Sequence, residues 1–167
     1  MIYLITGGER SGKSNYAQEL ALSISDEPVY LATAKIWDDN FKKRVDRHIS
    51  QRDHRWTNIE EQLTISKAIP QDRVVVIDCV TLWLTNFFTK FKNDRDSSLT
   101  EAKKEFDKLR SYRGSLIVIS NEIGMGLHGQ TQMARDFVEL QGWMNQYIAK
   151  AADSVTFMVS GLPLKVK

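Results

Sequence analysis

The sequence predicts an α/β protein built on a doubly wound, mostly parallel sheet with helices on both faces, and three observations predict it. Nearly continuous apolar runs rich in β-branched residues occupy positions 2–6, 29–33, 74–78, 116–120 and 155–160. Runs of this kind fit strands buried on both faces, as in a parallel sheet covered by helices. Segments with helical spacing separate them, and strands alternating with helices imply right-handed βαβ crossovers. The first run also ends in a glycine-rich turn that opens the first helical segment.

Taken in order, the first helical segment carries an apolar stripe at Ala17, Leu20, Ala21 and Ile24. Positions 38–52 have helical character and concentrated charge. The run 74–78 ends in Asp78 and leads into a further helix. Positions 93–98 are polar and read as a surface loop. A stripe at Leu99, Ala102, Phe106 and Leu109 follows, with Ser98 and Glu101 placed as a capping box. The last stripe, Ala134, Phe137, Leu140, Met144, Ile148 and Ala151, is long enough for about five turns at ~3.6 residues each. There is no repeat, low-complexity tract or Pro/Gly-rich linker, and 167 residues suit one domain spanning 1–167.

Composition narrows the function classes. Lys plus Arg total 23 against 21 Asp plus Glu, a formal charge of +2, so bulk electrostatics calls for neither nucleic acid nor an anionic membrane. The apolar opening meets Gly7 too soon for a signal-peptide core and lacks its basic start. No run approaches the length of a membrane span. A single cysteine, Cys79, excludes an internal disulfide and a Cys-built zinc site. It reads as a small core residue without chemistry. The expectation is a cytoplasmic enzyme.

Gly7-Gly8-Glu9-Arg10-Ser11-Gly12-Lys13-Ser14 matches G-x-x-x-x-G-K-[ST] in full, between a predicted strand and a predicted helix. The glycines let the backbone curl so that N–H groups point at phosphate oxygens, and the helix N-terminus favours the anion. Lys13 is expected to reach the β- and γ-phosphates and the Ser14 hydroxyl to complete a Mg²⁺ shell. The predicted fold is therefore P-loop NTPase-like. Asp78, ending a hydrophobic run, is placed to hold Mg²⁺ directly or through water; the alternative is a cap for the following helix. Glu122, after the run 116–120, falls at the same carboxyl edge, where open α/β sheets bind ligands. A general base for a substrate hydroxyl and a magnesium partner are both open to it.

Arg44, His48 and Arg52 are spaced i, i+4, i+8 and share one helical face. Two guanidinium groups flanking an imidazole make a receptor for polyphosphate. A neutral imidazole is also a competent nucleophile toward phosphorus. The alternative is a solvated charged face. His54 falls in a loop, and His128 lies in a glycine-rich stretch, 124–129, with the composition of a mobile lid.

Together the motifs resemble the bifunctional adenosylcobinamide kinase/adenosylcobinamide-phosphate guanylyltransferase family. The resemblance spans essentially the whole chain. It rests on Thr6 through Ser14, Tyr30-Leu31-Ala32-Thr33-Ala34, the pattern Arg44, His48, Arg52, Trp56, Glu60, then Asp78 through Asn86 and Ser120 through Gly126. Ala134-Arg135-Asp136-Phe137, Gly142, Asn145-Gln146, Ala152-Asp153 and Val159 through Leu164 complete it. The family implies two reactions. A nucleoside triphosphate, ATP or GTP, phosphorylates the aminopropanol hydroxyl of adenosylcobinamide; GTP then transfers GMP to that phosphate through a covalent histidine, giving adenosylcobinamide-GDP and pyrophosphate. His48 stands at the matching position. Ile49, Ser50, Gln51 and Arg52, with Glu60 and Asp78, resemble the family's guanine-nucleotide contacts, and Ala32, Thr33 and Ala34 would line the same site.

The resemblance also implies symmetric homo-oligomers with active sites near subunit contacts. Trp83, Phe87, Phe88 and Trp143 are available for such a contact or for the core. One departure is Leu127-His128-Gly129, where relatives often have Ile-Val-Pro; glycine in place of proline gives that loop more backbone freedom. If that loop contacts the corrinoid, the change bears on corrinoid affinity or substrate scope, not on the nucleotide chemistry. Two other functions fit a P-loop: a single-activity kinase for another small hydroxyl compound, and a GTP-binding regulator. Against the regulator, no N-K-x-D guanine-specificity motif stands in the usual place.

Overall fold

The computed structural model describes residues 1–35, 52–126 and 128–167. The expected helix over 38–52 falls almost wholly outside them, along with Arg44, His48, Ile49, Ser50 and Gln51. Five strands form where the apolar runs predict: β1 (Ile2–Gly7), β2 (Val29–Ala32), β4 (Val74–Asp78), β5 (Ser115–Asn121) and β6 (Ser154–Val159). Two further strands, β3 (Thr57–Glu60) and β7 (Leu162–Lys165), extend the two edges. The sheet has the order β3-β2-β4-β5-β1-β6-β7, parallel throughout except for the antiparallel β6–β7 pair. The turn between those last two uses Ser160 and Gly161, both at positive φ (50° and 86°), the pairing a two-residue hairpin turn requires.

The helices are α1 (Lys13–Ile24), the single turn α2 (Ile65–Ala68), α3 (Val80–Lys90), α4 (Arg95–Leu109) and α5 (Gln132–Ala151). Strand side chains alternate in direction, so each apolar run feeds two cores. Ile2, Leu4, Val75, Ile77, Leu116 and Val118 pack with α3, α4 and α5 on one face. Ile5, Val74, Val76, Ile117 and Ile119 pack with Ala17 and Ala21 of α1 on the other. Helices thus cover both faces, as the continuous apolar runs require. No helix among the described residues is long and apolar enough to cross a membrane.

Two local expectations are corrected. Positions 95–98 are helical, not loop, because α4 starts one turn earlier than the apolar stripe indicates. Asp94 is its cap, accepting a hydrogen bond from Ser97 N at 2.8 Å, as a short carboxylate does well at a helix start. The Ser98–Glu101 capping box does not form. Ser98 is fully buried inside the helix, and Glu101 pairs with Lys104 at 2.7 Å.

Trp83, Phe87 and Phe88 belong to the core, with 1%, 4% and 6% of their surfaces exposed, whereas Trp143 is 38% exposed. Trp83 stacks edge-on with Phe87 at 5.3 Å and donates its Nε1–H to the Leu63 carbonyl at 3.1 Å. Trp83→Ala would empty that space and orphan the carbonyl. A loss of roughly 3–5 kcal/mol is expected in chemical denaturation, and a change below about 1 kcal/mol would contradict this packing.

Candidate active site

The site forms where the carboxyl ends of β1, β5, β4 and β2 meet. Gly7 closes β1 with φ of 153°; a Cβ there would stand 2.7 Å from the Met158 carbonyl and 2.7 Å from Ser11 Oγ. Gly12, at φ of 93°, lies so close to Gly161 that a Cβ would meet its Cα at 3.1 Å. Only glycine satisfies both the backbone angles and the close approach. The hairpin turn after β6 buttresses the cradle directly, with Gly161 N donating to Ser11 O at 3.0 Å. Gly8, Glu9 and Arg10 form the exposed crest of the loop, Arg10 at φ of 56°.

Lys13 begins α1 and is 7% exposed. Its ammonium donates to the Gly8 carbonyl and to Ser11 Oγ, folding back into the loop that a phosphate would occupy. Burial lowers its pKa, with Cys79, Asp78 and Glu9 opposing. A polyphosphate entering the cradle would restore the charge balance of the ammonium. Ser14 Oγ donates to Asp78 Oδ2 at 3.1 Å, joining the start of α1 to the end of β4. This pair supplies hard oxygens of the kind that bind small divalent cations. The helix-cap alternative for Asp78 is not realised: Cys79 occupies the N-cap position of α3, without a side-chain capping bond. Cys79 packs in the core, as expected, and burial pushes its thiol up to about 12.

The sheet register places three of the nucleotide-contact candidates in one row. Ala32 lies between Glu60 and Asp78. Thr33, fully buried, donates its hydroxyl to Cys79 O at 2.8 Å and accepts from Cys79 N at 3.0 Å. Its carbonyl takes an amide proton from Asn86 at 2.8 Å, and the same Asn86 nitrogen reaches Gln62 O at 2.9 Å. Thr33 and Asn86 therefore pin the segments after β2 and β3 to α3. Ala34 is half-buried beside them and Glu60 is exposed. Arg52 sits over the ring of Tyr30. His54 and His128 are exposed.

Glu122 follows β5, its N–H bonded to Gly7 O at 3.1 Å. Its Oε1 accepts from Thr6 Oγ1 at 2.5 Å and from Asn145 Nδ2 at 2.9 Å. Asn145 is held in turn by Ser120, Gln141 and the Asn121 carbonyl. This buried network gives the carboxylate a fixed orientation beside the P-loop. Tyr30, Thr6 and Asn145 complete the site, yet no sequence signal assigned them a role: they stand within quoted motifs but far from Asp78 and Glu122 along the chain. Among the described residues no group of three or more His, Cys, Asp and Glu side chains is arranged to hold a metal.

The sequence profile described as cobinamide kinase / cobinamide phosphate guanyltransferase matches residues 3–166. The chain belongs to this family. Cobinamide kinase / cobinamide phosphate guanyltransferase relatives include the bifunctional adenosylcobalamin biosynthesis protein CobP of Pseudomonas aeruginosa. It is 36% identical over 168 residues, covering 98% of this chain and 96% of that protein. The corresponding protein CobU of Escherichia coli is 32% identical over 182 residues, covering all of both chains. In backbone shape this member of the cobinamide kinase / cobinamide phosphate guanyltransferase family is also similar to flagellar accessory protein FlaH from Methanocaldococcus jannaschii. That similarity has a TM-score of 0.48 and 14% identity over 99% of this chain and 77% of the other.

Proposed function

We propose that this chain phosphorylates the hydroxyl of adenosylcobinamide with a nucleoside triphosphate, and then transfers GMP from GTP to that phosphate. The products are adenosylcobinamide-GDP and pyrophosphate. The observation that carries the reading is the 3.1 Å contact from Ser14 to Asp78 beneath a complete phosphate loop, in a chain of this family. Ser14 and Asp78 would hold Mg²⁺, which when bound neutralises charge on the polyphosphate. The P-loop backbone and Lys13 bind and orient the phosphates.

The bond partners favour separate roles for the two carboxylates. Asp78 is tied to Ser14, whereas Glu122 is tied to Thr6 and Asn145 through one oxygen. Glu122 then accepts the proton of the substrate hydroxyl as that oxygen attacks the γ-phosphorus. In the second reaction His48 attacks the α-phosphorus of GTP and pyrophosphate leaves; the substrate phosphate then displaces the histidine. Ala32, Thr33, Ala34, Ile49, Ser50, Gln51, Arg52 and Glu60 are assigned to the guanine nucleotide. We assign the protein to the cytoplasm, as a homo-oligomer.

With adenosylcobinamide, GTP and Mg²⁺, the purified protein is expected to form the phosphate and then the GDP ester, with one pyrophosphate released per ester. Phosphate formation without the ester would reduce the function to a plain kinase. Glu122→Gln is expected to slow the phosphorylation step roughly 10²–10⁴-fold, the usual contribution of a general base, while leaving transfer of GMP to pre-formed phosphate largely intact. Equal losses in both steps, measured separately, would instead assign Glu122 to the shared metal.

A further inference from the structure

Tyr30 stands in the middle of a chain of contacts running from the phosphate cradle to Arg52. Its side chain is 4% exposed and packs edge-on against Trp56, with centroids 6.0 Å apart. Its hydroxyl donates to Asp78 Oδ2, the oxygen that also accepts from Ser14. The Arg52 guanidinium lies 3.7 Å from the centroid of the Tyr30 ring, and its Nε donates to Asn58 Oδ1 at 2.8 Å. Arg52 Nη1 is buried and has no hydrogen-bond partner among the described residues. A guanidinium keeps its charge, so a buried N–H of this kind is a free donor that a phosphate oxygen can satisfy. A phenylalanine at position 30 would satisfy the packing against Trp56 and under Arg52 equally well. The hydroxyl adds a bond to Asp78.

We propose that Tyr30 is a positioning residue with two faces: its hydroxyl sets the Asp78 carboxylate toward the cation, and its ring presents Arg52 to a nucleotide phosphate. One side chain thereby aligns the metal-binding end of the site with the arginine that meets the nucleotide. The inference rests on the reading of the site given above and adds a residue to it. Partners of this kind behind a metal ligand change metal affinity 10–100-fold when removed. A guanidinium that loses its aromatic platform loses a smaller, separate contribution.

The test uses the full chain with Mn²⁺ and α,β-methylene-GTP, whose α–β bond resists transfer, and reads free Mn²⁺ by electron paramagnetic resonance. Tyr30→Phe is expected to weaken Mn²⁺ binding to the protein–nucleotide complex by roughly tenfold or more. Nucleotide affinity in EDTA and the melting temperature should stay near wild type, because the ring remains. High metal concentration should then restore turnover with GTP. Tyr30→Leu is expected to show the same metal defect and in addition a several-fold weaker affinity for the nucleotide in EDTA. Mn²⁺ affinity in Tyr30→Phe equal to or tighter than wild type would overturn the proposal. So would an EDTA affinity for nucleotide that falls in Tyr30→Phe as far as in Tyr30→Leu. Failure of the wild-type chain to form the GDP ester would overturn the functional reading instead, and the manganese measurement would still decide the role of Tyr30.

Discussion

After incubation with Mg²⁺ and GTP labelled at the α-phosphate, the wild-type chain is expected to keep its label through denaturation and alkali and lose it in acid, and His48→Ala to carry none. The chemistry follows from the nucleophile. An imidazole nitrogen, largely neutral near pH 7, attacks the α-phosphorus; a P–N bond forms as the P–O bond to pyrophosphate breaks. Protonation of the ring in acid turns it back into a good leaving group, whereas alkali leaves it a poor one. Loss of the nucleophile should cut GMP transfer by on the order of 10⁴–10⁶-fold. Phosphorylation of adenosylcobinamide should persist, since that step needs the cradle and a base but no covalent histidine. A wild-type protein that binds GTP yet never takes up label would remove the covalent route.

Lys13→Ala is expected to lower both reactions together, each by about 10²–10³-fold. Lys13 is buried at the root of the cradle and its ammonium is held by Gly8 O and Ser11 Oγ. Both reactions draw on the same polyphosphate, so removing the buried cation of the loop weakens stabilisation of charge whether the γ- or the α-phosphorus is attacked. Separate assays of the two steps check this. A loss confined to one of them would mean that the nucleotides bind in different places. The contrast with His48→Ala, which should stop one step only, makes the pair of variants diagnostic of two chemistries in one cradle.

Much of the fold was legible because its signals are local. A parallel strand buried on both faces must be apolar at consecutive positions, and the five runs that read this way are the five inner strands. The edge strands escaped for the same reason. Thr57-Asn58-Ile59-Glu60 has only Ile59 partly buried, and Leu162-Pro163-Leu164-Lys165 is exposed throughout. An edge strand packs on few neighbours and tolerates proline, so it leaves little pattern to read. The start of α4 was misplaced because Asp94 and Ser98 are both competent caps; the turn between them was settled by Ser98 being drawn into the core.

By itself the sequence determined the phosphate loop, the carboxylate that ends β4 and the family. Each is written in contiguous residues whose chemistry needs a set order: glycines for curvature, lysine and serine at the helix start, an aspartate after a hydrophobic strand. Tertiary structure alone decided which oxygens of that site face one another. Tyr30 meets Asp78 from 48 positions away and Thr6 meets Glu122 from 116. Those contacts exist because β2 lies beside β4, and β1 beside β5, in the sheet. Strand order is a property of how whole elements bury their apolar faces, and no local run of residues encodes it.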